Sequence, residues 1–138
     1  MEYFSELTAF AAGLLFASVL ISPTPTFETA FSGTRTATTN IAAVSSQGNG
    51  ALGETHAKIG PGDGSTLLNA DPFIETDTQA SAKTAKIVAQ KFTDDTLDNK
   101  DITYSFRIDG NYVGGPSAGA AMTLATIAAI ENRSVLQN

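Results

Sequence analysis

The chain has 138 residues, enough for one domain with a hydrophobic core and too few for two. Its 8 basic and 14 acidic residues give a net charge of −6, which argues against a nucleic-acid partner. The chain contains no cysteine, which excludes zinc fingers, disulfide frameworks and cysteine nucleophiles, and its single histidine, His56, disfavours a histidine-based metal site or a Ser-His-Asp triad. We therefore expect no metal and no cofactor.

Residues 7–21 (LTAFAAGLLFASVLI) form an apolar run without a charge. A membrane-spanning helix needs about 20 apolar residues, so the run is typical of a secretory signal or an N-terminal membrane anchor, with a buried helix as the alternative. No Lys or Arg precedes the run and no small-x-small cleavage site follows it closely, which favours an uncleaved anchor. We predict a signal or anchor at residues 1–25, a linker at residues 26–35, and a domain held outside the cytoplasm.

The next part of the chain is predicted to form strands. Residues 36–44 and 51–59 have strand character and flank a turn at Gly48-Asn49-Gly50. A dense turn signal at residues 60–64 predicts that residues 65–69 return as the partner strand of a hairpin. His56 is expected to be an exposed or partly packed strand residue.

A helix is predicted from Thr76 to about Phe92. Thr76 and Gln79 have the spacing of a capping box. Helical periodicity predicts an inner stripe of Ala85, Val88, Ala89 and Phe92, and a wet face of Lys83, Lys86 and Gln90. A polar loop is expected to follow, at residues 93–101.

Two clear elements close the chain. Alternating apolar residues at 102–108 predict a half-buried strand, and the charge-free residues 118–130 predict a buried helix. Between them lies a glycine-rich loop that contains Ser117. The order of strands, helix, strand, serine loop and helix predicts an α+β (mixed α/β) fold.

Ser117 admits three interpretations from the residues alone. It caps the helix, it belongs to a phosphate-binding loop, or it is a nucleophile placed by a tight turn. A helix cap lacks its reciprocal partner because Ala120 stands at the third helical position, and a Walker A loop lacks its lysine. The residues by themselves do not choose among the three.

The segment DGNYVGGPSAGAAMT, residues 109–123, resembles the nucleophile segment of the Lon protease family. In that family a Gly-Pro-Ser-Ala-Gly core follows a strand and opens an Ala-rich helix. The resemblance spans residues 36–138 and is closest to exported or membrane-anchored archaeal Lon-like proteins without an ATPase module. It implies an incomplete Lon-type proteolytic domain, with the ribosomal-protein-S5-domain-2-like fold, that acts as an ATP-independent serine endopeptidase on polypeptide substrates.

The resemblance also implies roles for individual residues. Ser117 is the nucleophile, and the loop backbone at Gly115, Pro116 and Ala118 stabilises the oxyanion. A desolvated Lys, downstream of the serine in the family, accepts the proton of the serine hydroxyl. Residues 118–138 contain no Lys, and the guanidinium of Arg133 does not act as a base.

We therefore expect residues 36–138 to be the N-terminal portion of such a domain, without peptidase activity by itself. The helix at residues 118–130 should be partly uncovered, which favours a homo-oligomer or a complementing partner chain. The other lysines are expected to be solvated or loop charges: Lys58, Lys83, Lys86, Lys91 and Lys100.

Two further classes are kept as alternatives. A small-molecule kinase of the GHMP type binds ATP phosphates with a Gly/Ser-rich loop at a helix start, but its usual order is Gly-x-Gly-Ser-Ser, and Pro116 removes one N–H donor. A catalytically inactive, anchored binding module is the other class, and the missing Lys favours it.

Overall fold

The computed structural model describes residues 32–44, 48–70, 73–108, 112–113 and 118–137. In these residues the elements are β1 (Arg35–Val44), β2 (Gly50–Pro61), β3 (Thr66–Ala70), β4 (Phe73–Ile74), α1 (Thr76–Thr93), β5 (Lys100–Ile108), β6 (Tyr112–Val113) and α2 (Ala118–Ile130). The four longer strands form a mixed sheet in the order β1-β2-β5-β3, and β4 pairs with β6. The predicted α+β class is confirmed at this level.

The predicted anchor at residues 1–25 lies outside the described residues, and so does the predicted linker up to residue 31. In the part of the chain that the structure describes, no helix is long and apolar enough to cross a membrane.

Strand alternation gives the sheet one buried face and one wet face. On β5, Ile102, Tyr104 and Phe106 are buried, as the alternating pattern predicts. They lie beside Ala57 and Ile59 of β2, because the two strands pair antiparallel. Both helices pack on this side of the sheet, with α2 against β1 and β2, and α1 against α2 and β3. The core is therefore a single layer between sheet and helices.

The predicted hairpin between β2 and the strand that follows it is wrong. β3 pairs with β5 in parallel, and β5 lies between β2 and β3. The turn after β2 is bound to β5 instead, since Asp101 Oδ1 accepts hydrogen bonds from the N–H groups of Asp63 (3.0 Å) and Ser65 (2.9 Å). The nine-residue β5 takes an inner position, whereas the five-residue β3, with Leu67 exposed, takes the edge.

α1 begins without the predicted capping box. Glu75 stands at the N-cap position in an extended conformation, and no side chain caps the helix there. The carboxylate of Asp77 accepts a hydrogen bond from the N–H of Thr78 (2.7 Å). This acceptor satisfies one of the free N–H groups of the first turn, and its negative charge suits a helix N-terminus.

The buried stripe of α1 is made of small residues. It consists of Thr78, Ala82, Ala85 and Ala89. Val88 is 44% exposed and Phe92 is 70% exposed, so their predicted place in the stripe is wrong. Small side chains let α1 approach α2 closely. A Cβ atom at Gly119 of α2 would lie only 3.3 Å from Ser81 Cβ of α1.

α2 confirms the predicted buried helix. Met122 and Ala125 are fully buried, whereas Leu124, on the outer side, is 51% exposed. A hydrogen bond of 2.7 Å joins Thr126 Oγ1 to the hydroxyl of Tyr104 on β5. Thr126 donates its single proton to the carbonyl of Met122 (2.8 Å), so the Tyr104 hydroxyl is the donor of the first bond. This chain of hydrogen bonds connects the middle of α2 to the middle of β5.

Two other hydroxyl groups of the core differ from Thr126 in having no partner. Thr39 and Thr55 are paired across β1 and β2 on the buried face. Within the described part of the chain, the Oγ1 atoms of both are buried and make no hydrogen bond. A buried hydroxyl without a partner loses its hydrogen bonds to water on folding and destabilises the folded state.

We predict that Thr55→Val raises the free energy of unfolding by about 1–2 kcal/mol, because valine keeps the shape of threonine and removes the unpaired hydroxyl. Thr126→Val is the matched control. It should lower the same quantity by about 1 kcal/mol, since it leaves the buried Tyr104 hydroxyl without its acceptor. Urea unfolding of both variants checks the pair, and a loss of stability in Thr55→Val would contradict the prediction.

Candidate functional site

The carboxyl ends of β3 and β5 lie at the same end of the sheet, and both helices begin at that end. β3 and β5 run parallel, with α1 as the crossover between them, and α2 follows β5 and β6. The short β4 and β6 pair in parallel and join the two strand-to-helix connections. In open α/β sheets, ligands bind outside the carboxyl ends of parallel strands, and helix N-termini there favour negative charge.

The predicted nucleophile segment, residues 109–123, follows β5 in the sequence and includes the start of α2. Ser117, Gly115 and Pro116 lie outside the described residues. Ala118 is described: it is buried and is the first residue of α2. Gly119 follows and lies against Ser81 of α1. The first turn of α2 is therefore held against its neighbouring helix, directly after Ser117.

The five lysines are distributed over β2, α1 and β5. Lys58 is exposed on the wet face of β2, and Lys83 and Lys91 are exposed on α1, as predicted. Lys86 is half-buried, and its ammonium donates a 2.6 Å hydrogen bond to the carbonyl of Gly64 in the turn before β3. Lys86 thus stabilises a turn in addition to contributing to the wet face.

The prediction that Lys100 is a solvated or loop charge is wrong. Lys100 is not a loop charge but the first residue of β5, and it is only 3% exposed. Ala118 lies eight residues before Thr126, about 12 Å along α2. Lys100 lies four residues before Tyr104, about 13 Å along β5 in the opposite direction. The two therefore lie on opposite sides of the contact between Tyr104 and Thr126, which argues against Lys100 as a proton acceptor at the start of α2.

A second group of chemically active side chains lies on the wet face of the sheet. Thr38 of β1 faces His56 of β2, and the distance from Thr38 Oγ1 to His56 Nδ1 is 2.8 Å. Glu54 lies two residues before His56, on the same face, with Oε2 3.4 Å from His56 Nε2. That nitrogen is buried and not aligned for a hydrogen bond, so its contact with Glu54 is electrostatic.

His56 is 32% exposed, which confirms the partly packed histidine predicted from the sequence. The sequence does not reveal the Thr38 contact, because the contact depends on the pairing of β1 with β2. In the described residues, no three His, Asp or Glu side chains are placed to hold a metal ion.

The residues after α2 return along the free edge of β1. Arg35 donates a hydrogen bond to the carbonyl of Ile130. The Gln137 amide then bonds the β1 backbone twice, accepting from Asn40 N (2.7 Å) and donating to the carbonyl of Thr38 (3.3 Å). Between this tail and β1 lies an open pocket of about 410 Å³, lined by residues 36–38, 132–135 and 137.

No protein-family model matches the chain, and no curated protein sequence matches it.

Proposed function

We propose that the chain carries the nucleophile segment of an ATP-independent Lon-type serine endopeptidase, with Ser117 as the nucleophile. One observation carries the proposal: α2 begins at Ala118, directly after the Gly-Gly-Pro-Ser sequence. This start lies at the end of the sheet where β5 ends and α1 also begins. A residue in this position precedes a helix whose first N–H groups have no partner inside the helix. Those groups suit the negative charge that develops during peptide hydrolysis.

In the proposed reaction, the Ser117 hydroxyl attacks the carbonyl carbon of a peptide bond. Loop backbone at Gly115, Pro116 and Ala118 surrounds the developing oxyanion, with the N–H donors coming from the residues other than proline. The contact between Gly119 and Ser81 supports this assignment, because a fixed helix start keeps the donors in place while charge develops.

The general base is proposed to come from another polypeptide. Lys58, Lys83 and Lys91 are exposed, and the Lys86 ammonium binds the carbonyl of Gly64. The buried Lys100 and the start of α2 lie on opposite sides of the contact between Tyr104 and Thr126. We therefore propose that a complementing chain, or a second copy, supplies the base. We also propose that residues 1–25 attach the protein to a membrane and that this chain alone does not hydrolyse peptides.

A peptidyl boronic acid tests the nucleophile without requiring the base. Boron accepts a lone pair from the serine oxygen, the hydroxyl proton passes to water, and the tetrahedral adduct resembles the reaction intermediate. We expect the full chain to form this adduct, as measured by boron NMR, and Ser117→Ala to lose it. Ser134→Ala, which alters an exposed serine of the tail, is the matched control and should keep the adduct.

An adduct that persists in Ser117→Ala would exclude Ser117 as the nucleophile. Casein hydrolysis tests the proposal about the base. We expect none from the full chain, and hydrolysis that disappears in Ser117→Ala would show that a base within this sequence suffices.

A further inference from the structure

We propose that Thr38, His56 and Glu54 form a second reactive site, in which the hydroxyl of Thr38 accepts acyl groups from small activated esters. The site goes beyond the endopeptidase proposal, because it shares no residue with the Ser117 segment. It lies on the opposite face of the sheet from α1 and α2, since these three residues point away from the buried face of β1 and β2.

The first step of the argument is the position of the hydroxyl hydrogen. Thr38 Oγ1 lies 2.8 Å from His56 Nδ1, within the range of a strong hydrogen bond. When Thr38 donates, His56 carries its own proton on Nε2, the nitrogen 3.4 Å from the carboxylate of Glu54. The negative charge of Glu54 favours that tautomer, and it favours the imidazolium that forms when Thr38 loses its proton.

The charged and polar residues around His56 place no second carboxylate beside its imidazole among the described neighbours. Glu54 faces Arg107 across β2 and β5, and His56 faces Ser105 on the same strand pair. Lys58 lies two residues beyond His56 on the same face and is exposed to solvent. On β1, Asn40 is the residue opposite Glu54. The described neighbours therefore place a single carboxylate, that of Glu54, beside the imidazole.

The second step is access for a substrate. Thr38 lines the pocket of about 410 Å³ between β1 and the tail, which is large enough for a short acyl group. Asn132 and Arg133 line the same pocket and bring N–H donors for a developing oxyanion. Arg133 also forms a 3.1 Å ion pair with Glu131, on the exposed tail. The pocket therefore suits a small ester with a polar or anionic group.

The reaction balances with water as the only co-reactant. Thr38 Oγ1 attacks the ester carbonyl carbon while its proton moves to His56 Nδ1, and the bond from that carbon to the leaving oxygen breaks. The leaving alcohol takes the proton from His56. Water, deprotonated by His56, then hydrolyses the acyl-threonine and releases a carboxylic acid.

Acetylation by p-nitrophenyl acetate tests the site in the full chain. Release of p-nitrophenol gives the rate, and tandem mass spectrometry locates the acetyl group within the tryptic peptide that carries Thr36 and Thr38. We expect acetyl-Thr38 in the unmodified chain and none in Thr38→Val. Thr38→Ser keeps a hydroxyl at this position and should keep the reaction. His56→Asn should slow it about 100-fold or more, because asparagine cannot accept the proton.

Thr96→Val is the matched control, since Thr96 is an exposed threonine between α1 and β5 and does not line the pocket. It should leave acetylation of Thr38 unchanged. Glu54 is a positioning residue, so Glu54→Gln should slow the reaction less than His56→Asn and change its dependence on pH. Acetyl groups found only on lysines, or equally on Thr36 and Thr38, would overturn the proposal.

Discussion

Gly53→Ala is expected to lower the free energy of unfolding by about 3 kcal/mol, through overpacking between β2 and β5. A Cβ atom at Gly53 would lie 2.7 Å from the carbonyl oxygen of Arg107 and 2.8 Å from Ile108 Cβ. The first of these atoms belongs to the backbone, so a side-chain rotation does not relieve the overlap. The strands must separate where Gly53 faces Ile108, next to the end of β5 from which the connection to α2 departs.

Gly50→Ala is the matched control for this prediction. Gly50 begins the same strand, and a Cβ atom there meets nothing within 4 Å among the described residues. We expect its effect to be within about 0.5 kcal/mol of zero, as for most surface substitutions. Urea unfolding of both variants gives the comparison, and equal stabilities would contradict the close approach of β2 and β5 at Gly53.

Raising the pH from 10 to 12 is expected to remove about 2 kcal/mol of unfolding free energy through Tyr104. Burial raises the pKa of Tyr104 to about 12 from its ordinary value of 10.0. The unfolded chain thus releases the phenolic proton first. The contribution of the protonated Tyr104 to the stability of the folded state is fully present below pH 10 and is lost as the pH rises through about 12.

Tyr104→Phe isolates this effect, because other groups that titrate in alkali are common to both proteins. At neutral pH the variant should be about 1 kcal/mol less stable than the unmodified protein, since it lacks one buried hydrogen bond. By pH 12 the order should be reversed, because phenylalanine has no proton to lose. Urea unfolding at a series of pH values measures the difference, and a constant difference would contradict the raised pKa.

Periodicity predicts much of this fold, because each element buries one face. The alternation of β5 and the charge-free composition of α2 give both elements nearly to the residue. The same reasoning is wrong for Val88 and Phe92 of α1, whose exposure depends on a neighbouring helix. α2 approaches α1 through Gly119 and Ser81, so the buried stripe consists of small residues instead of the largest apolar ones.

Strand neighbours are harder to predict than strands, because pairing depends on residues distant in sequence. A turn centred on Asn49 would pair residues whose numbers sum to 98, whereas the observed pairs sum to 94, as for Thr38 and His56 (38 + 56 = 94). The two sums differ by an even number, so a turn centred on Asn49 would place each residue on the correct face of the sheet but opposite the wrong partner. The contact between Thr38 and His56 is therefore visible only in the folded chain.

Ser117 illustrates a different limit. A local pattern of Gly, Pro and Ser before an apolar helix makes Ser117 a candidate nucleophile. The described start of α2 at Ala118 agrees with that pattern. A general base has no such local signal, because it is brought near the serine by the fold and not by sequence spacing. The positions of the five lysines therefore had to come from the structure.

The central position of β5 has a consequence for how the chain assembles. β1 and β2 pair locally, and β3 and α1 adjoin in sequence, but no pair of strands joins β3 to β2 in the described sheet. β2 and β3 both pair with β5, which follows β2 by about 40 residues. Closing the sheet therefore requires bringing together strands that are far apart in the sequence. Such a late, non-local step slows folding. During synthesis on a ribosome, we expect β2 and β3 to join one sheet only after residues 100–108 have emerged, because each of the two strands pairs with β5.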